Sequence, residues 1–207
     1  MPNSASSTED AYTRAERLFR ERGGMLRMAE AVEAGIHRHT LYTLRDQGVL
    51  EQLSRGLYRL ADAPTLGHPD LVAVARRAPK GVICLVSALA FHDLTTQVPH
   101  EVYLAVPRGS EPPRIDYPPV RVFRVGERAF TEGIETHDLD GVPVRIYSRE
   151  KTLADGFKYR SAIGLDTAVE AVRRYRDQGR IDVEALLRAA RACHVENVMR
   201  PYLEAVL

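Results

Sequence analysis

A chain of 207 residues, 44% hydrophobic and 28% charged with a formal net charge of +1, has material for one large or two small domains with a buried core, and its balanced charge argues against a histone-like polyelectrolyte. No stretch approaches the roughly 18 consecutive apolar residues of a membrane span, and the opening MPNSASSTED has no basic flank leading into an apolar run, so a cytoplasmic protein without membrane association is expected. Cys84 and Cys193 lie far apart with no neighbouring thiol, which reads as two small buried hydrophobes rather than a metal site or disulfide framework.

Residues 1–7 are small and polar and are expected to fray. From Thr8 or Asp10, the spacing of Ala11, Ala15, Leu18 and Phe19 predicts a first helix ended by Gly23-Gly24. MLRM is too short to classify alone. MAEAVEAG predicts a short helix closed by Gly35, and a second short helix spans 37–47, stopped by Gly48. VLEQLSRGLYRL reads as two strands, residues 50–60, around Ser54-Arg55-Gly56, where glycine supplies the positive φ of a tight turn. With MLRM as a short strand, this order is the winged helix-turn-helix, expected over residues 1–62 as a DNA-binding domain.

On a helical wheel Leu41 and Leu44 share a face with Thr40 and Gly48, while Arg38, His39, Tyr42, Thr43 and Asp46 gather opposite and Arg45 borders them. Such side chains reach base edges and phosphates: Arg38 to guanine or phosphate, His39 and Thr43 to either, Tyr42 to phosphate or a thymine methyl. Arg55, at the hairpin tip, is placed to meet the backbone or the minor groove. The DNA-binding candidates are therefore Arg38, His39, Tyr42, Thr43, Arg45 and Arg55. Two other readings stay open: an ordinary solvated helix face, and a winged helix that docks a protein without sequence-specific DNA binding.

ADAPTLGHPD carries the domain boundary, and a second domain is expected over 63–207. HPDLVAVARRAP is helical, GVICLV a buried strand running into the helix SALAFHDL, and EVYLAVP a strand. Pro112, Pro113, Pro118 and Pro119 mark a surface loop before the strand VRVFRV, and GIETHDLDGVPVRIYS reads as a hairpin turning at Asp140-Gly141. From Ser148 onward the chain is helical, with Ser148 and Asp182 as N-caps and Pro201 kinking or dividing the last helix. The fold class is α+β: a winged helix-turn-helix, then a small mainly antiparallel sheet and a C-terminal helical cluster. Lys158, Arg160, Arg173, Arg174 and Arg176 are candidates for a basic C-terminal surface facing nucleic acid or an acidic partner.

Enzyme-like residues do not assemble into a motif. Gly109-Ser110 and Asp138-Leu139-Asp140 imitate nucleotidyltransferase elements but are too far apart, and Asp140-Gly141 suits a turn. Ser87, His92 and Asp93 lack a nucleophile elbow, and His92 reads as a helix-terminal histidine favoured by the dipole. The histidines are scattered and no glycine-rich phosphate loop occurs. No catalytic residue, metal or cofactor is expected.

GLYRL after a polar helix, SALAFHDLTTQVPHEVYLAVPR, and above all SREKTLADGFKYRSAIGLDTAVEAVRRY resemble the AbiEi antitoxins, regulators of type IV abortive-infection toxin–antitoxin pairs. The likeness runs from the first helix to Tyr202, and the order of its segments is more specific than any one of them. It implies an N-terminal winged helix that binds operator DNA and represses its own operon. It also implies a C-terminal domain acting against a cognate nucleotidyltransferase-like toxin without a stable complex. One departure is His37, which stands where a serine cap is expected before the recognition helix.

Overall fold

The computed structural model describes residues 10–63, 67–179 and 181–206, so the expected frayed tail and part of the boundary segment lie outside the described residues. The chain divides into two compact units, one running to Gly67 and one beginning at His68.

In the first unit, α1 (Ala11–Glu21) buries Ala15 and Phe19, one turn apart on the same face. The Gly24 amide then closes the helix on the Phe19 carbonyl at 2.7 Å. β1 (Met25–Arg27), α2 (Met28–Glu33), α3 (Arg38–Asp46), β2 (Leu50–Ser54) and β3 (Leu57–Leu60) follow. MLRM thus splits: three residues make β1 and the fourth opens α2. Only pairing makes β1 a strand, since Met25, Leu26 and Arg27 lie opposite Arg59, Tyr58 and Leu57, a long-range register no local pattern displays. The antiparallel sheet runs β1-β3-β2, with a bulge between Gln52 and Ser54. Leu41 and Leu44 from α3 meet Phe19, Leu26, Leu50 and Tyr58 in one core.

The turn from α2 to α3 depends on Gly35, at φ +84°. A side chain there would strain the backbone and bring its Cβ to 2.8 Å from Arg14 Nη2, an atom that donates to the Ala34 carbonyl at 2.9 Å. Gly35→Ala is expected to cost about 1–2 kcal/mol of stability from the left-handed backbone alone, read as a lowered urea midpoint. The hairpin turn is also held: the Gly56 carbonyl accepts from the Met28 amide at 2.8 Å.

The second unit comprises α4 (Pro69–Arg77), β4 (Val82–Ile83), α5 (Leu85–Phe91), β5 (Val102–Pro107), β6 (Val120–Val125), α6 (Glu127–Thr131), β7 (Ile134–Leu139) and β8 (Val142–Tyr147). Then come α7 (Arg149–Lys158), α8 (Arg160–Ile163), α9 (Leu165–Asp177), α10 (Val183–Ala192) and α11 (Glu196–Val206). The sheet runs β6-β5-β4-β8-β7. It is more mixed than the sequence suggested: β4/β5 and β7/β8 are antiparallel, but β5/β6 and β4/β8 are parallel. The Asp140-Gly141 hairpin announces itself through turn residues, whereas a parallel neighbour has no such local mark. The strand expected in GVICLV is only Val82–Ile83, because Leu85 already belongs to α5. Pro201 lies inside α11 without dividing it. Ser148 and Asp182 cap as expected, accepting from the Lys151 and Ala185 amides at 3.2 and 2.9 Å.

α7 is the central helix, packed against α5, α9 and α10. Every residue from Glu150 to Phe157 is buried, charged ones included. Lys151 Nζ donates to Asp155 Oδ2 at 2.6 Å and sits 3.9 Å from the Tyr147 ring centroid. Cys193 Sγ donates to Asp155 Oδ1 at 3.3 Å, and burial pushes its thiol up to about 12, so both cysteines are inert core groups. Glu150 accepts from the Tyr175 hydroxyl at 2.7 Å.

His92 caps the end of α5 and its Nε2 lies 2.7 Å from the Tyr147 carbonyl. Burial lowers its pKa below the ordinary 6.5. The unfolded chain therefore takes up a proton that the folded ring refuses, and stability is expected to fall as pH drops through that value. A thermal midpoint followed from about pH 7.5 to 5.5 should drift down, less steeply in a His92→Gln variant.

Candidate nucleic-acid interface

α3 presents two chemically distinct faces. Thr40, Leu41 and Leu44 are buried, while Arg38, His39, Tyr42 and Asp46 are exposed and Thr43 and Arg45 half-buried. Arg38 and His39 form no hydrogen bond or ion pair through their side chains with other described residues. Thr43 Oγ1 donates to the His39 carbonyl at 3.0 Å, so its hydroxyl is engaged within the helix.

Arg45 organises the middle of this face. Its Nε and Nη2 donate to Asp46 Oδ1 at 2.9 and 2.7 Å, Nη1 reaches Gln52 Oε1 on β2 at 3.4 Å, and the guanidinium lies 5.4 Å from the Tyr42 ring centroid. The Asp46 carboxylate raises the arginine pKa further above its ordinary value. Arg45 thereby links the helix to the hairpin and lies against the Tyr42 ring, contacts that composition alone does not reveal. Arg55 is exposed in the β2–β3 turn, between Ser54 and the positive-φ Gly56.

The sequence did not indicate the concavity at the start of α3. His37 is the N-cap but makes no side-chain cap bond, leaving the first amides of the helix uncovered there. Val32, Gly35, Ile36 and His37 line a hollow of about 740 Å³ with Arg38, His39 and Thr40. The departure from a serine cap was its one sequence signal.

In the second unit the five basic candidates separate by partner. Arg174 pairs with Glu170 at 2.9 Å and Arg176 with Asp177 at 2.8 Å, so two α9 charges are locally neutralised. Lys158 Nζ donates to the Cys193 carbonyl and Arg160 Nη1 to the Phe157 carbonyl, both at 2.9 Å. Arg173 is exposed.

The enzyme-like residues are engaged elsewhere. Ser87 Oγ accepts from the Tyr103 amide at 3.0 Å, tying α5 to β5, while His92 serves the Tyr147 carbonyl. Asp138 Oδ1 accepts from the Gly141 amide at 2.8 Å, which makes it a turn residue. Among the described residues no group of three histidine, cysteine, aspartate or glutamate side chains converges as a metal site would require, and no helix is long and apolar enough to cross a membrane.

Three helices, the last with a polar outer face, closed by a three-stranded antiparallel sheet, define a winged helix-turn-helix unit. Within it, residues 14–61 match the family described as transcriptional regulator, AbiEi antitoxin. Over 94% of the chain, the fold is similar to 81% of the crystal structure of the RV2827C protein from Mycobacterium tuberculosis, with a TM-score of 0.54 and 16% sequence identity. A comparison with curated proteins gave no match.

Proposed function

We propose that this protein is a DNA-binding transcriptional repressor of its own operon and the antitoxin to a nucleotidyltransferase-like toxin. The observation that carries the DNA-binding part is the outer face of α3. Arg38 and His39 stand in solvent without partners among the described residues, beside a Tyr42 against whose ring Arg45 lies. A helix that buries only Thr40, Leu41 and Leu44 leaves its other side for a major groove, where Arg38, His39, Tyr42 and Thr43 meet base edges and phosphates and Arg55 approaches the backbone. Arg45 contributes by positioning. The match over residues 14–61 supports the regulatory part. The antitoxin action belongs to the second unit. In this reading the protein is cytoplasmic, is not an enzyme and needs no cofactor.

The test is a mobility-shift titration on the duplex upstream of the chain's own reading frame, repeated across salt concentrations. Retention is expected, with log K falling by about 0.9 per phosphate neutralised for each log unit of salt. Failure to retain that duplex at low salt overturns the DNA-binding part. Growth rescue on co-expression with a nucleotidyltransferase-like neighbouring gene tests the antitoxin part separately.

A protein-docking reading has one observation in its favour. Val32 and Tyr42 are both 39% exposed, and Val32 lines the hollow at the start of α3. Capture of a neighbouring gene product, with no retention on any duplex, would select it.

A further inference from the structure

Away from α3, the second unit carries a cleft of about 320 Å³, near the lower end of the volumes of small-ligand sites. Arg108 after β5, Arg124 at the end of β6, Arg128 in α6 and Lys158 at the end of α7 come to it from four separate places in the chain. Lys158 is held by the Cys193 carbonyl. The three guanidiniums have no hydrogen bond or ion pair with other described residues. The acidic groups on the cleft are Glu127 and Asp155, and Asp155 is already paired with the buried Lys151. Four cationic side chains against two carboxylates leave the cleft with an excess of positive charge. Guanidiniums gathered in this way repel one another unless an anion lies between them, and their forked donors match phosphate oxygens.

Tyr159 gives the cleft an aromatic side. Its ring meets Phe123 edge-on at 5.1 Å, and Phe123 stacks on Tyr103 at 5.7 Å with an interplanar angle of 16°. All three rings are half-buried, not sealed in the core. Arg121, paired with Glu101, lies over Tyr103 and Phe123 at 5.8 and 5.7 Å from their centroids. Phosphate-binding guanidiniums beside an aromatic ledge are the two halves of a nucleotide site: one end takes the charge, the other stacks the base. A duplex backbone would offer the ledge no exposed base.

We infer that the cleft bounded by Arg108, Arg124, Arg128, Lys158 and Tyr159 binds a phosphorylated nucleoside, either a free nucleotide or the terminal nucleotide of a single strand. The three guanidiniums hold the phosphates and the Tyr159 ring, buttressed edge-on by Phe123, carries the base.

Calorimetric titration of the full-length protein with adenosine 5′-triphosphate is the test, with inorganic phosphate as competitor. Binding is expected, with competition by phosphate. An Arg108→Gln, Arg124→Gln, Arg128→Gln variant should weaken it by about a thousandfold, roughly tenfold for each charge-assisted contact. These side chains are exposed, so the variant should keep the parent's unfolding midpoint. A Tyr159→Leu variant should weaken the nucleotide more than phosphate, and an Arg38→Ala, Tyr42→Ala variant should bind both normally. Tighter binding of a short 5′-phosphorylated oligothymidylate assigns the ligand to a strand end; tighter binding of the triphosphate assigns it to the free nucleotide. No binding of any of these probes, or binding unchanged by loss of the three arginines, overturns the inference, as does an effect of that variant on duplex DNA alone.

Discussion

Removing two side chains from α3, in an Arg38→Ala, Tyr42→Ala variant, is expected to weaken the proposed operator binding by about 1–3 kcal/mol for each of the two that reads a base, about 2–6 kcal/mol where both do. Both residues are exposed, and the core under α3 is made by Leu41 and Leu44. The variant should therefore unfold at the parent's midpoint, so that lost affinity reports lost contacts. Tyr42→Ala also withdraws the ring over which the Arg45 guanidinium lies at 5.4 Å. The Arg45 contacts to Asp46 and Gln52 should keep the brace to the hairpin in place. Titrating the upstream duplex and a random duplex in parallel separates the two kinds of contact. A base-reading role lowers only the first, and a phosphate role lowers both while reducing the salt slope by about one. Unchanged affinity on both duplexes would remove the assignment of α3 as the reading helix.

The largest expected loss of stability lies in the second unit. Lys151 is 0% exposed and Asp155 2% exposed, and their charged atoms are 2.6 Å apart. Lys151→Met keeps much of the side-chain volume but leaves a buried carboxylate whose remaining side-chain hydrogen-bond donor is the Cys193 thiol, and should cost about 3–5 kcal/mol. The Lys151→Met, Asp155→Leu variant removes both desolvated charges and is expected to regain most of that loss. Urea unfolding of the two single variants and the double closes the cycle. If the double variant is as unstable as the sum of the singles, the pair does not act as a unit.

This pair also shows where the sequence stopped being readable. The stretch SREKTLADGFK has a serine cap and good helix formers, so its helical state and start were legible. Its burial was not, because Glu150, Lys151 and Asp155 look like an exposed face until Tyr175, Tyr147 and Cys193 arrive from elsewhere to satisfy them. The first unit was more legible because most of its signals are local. Gly23-Gly24, Gly35 and Gly56 each occupy a positive φ at the turns where the chain changes element. β1 and α6 lacked such signals: the first depends on β3 for its identity, and the second is five residues long. The outer face of α3 could be read from the wheel, since helical spacing fixes which residues share a side. Its Arg45 brace could not, because Gln52 lies in a different element. The cleft of the second unit was invisible for the same reason, its four cations being contributed from between residues 108 and 158.

For the proposed duplex binding, the contact between the Gly56 carbonyl and the Met28 amide sets how much freedom the hairpin has left to lose. A hairpin free to swing would forfeit conformational freedom whenever a groove immobilised it, and affinity would fall accordingly. Here the ribbon is moored to the foot of α2 before any encounter, so little ordering is left for association to impose. The heat-capacity change of complex formation should then scale with the area dehydrated at the contact, without the excess that accompanies folding on binding.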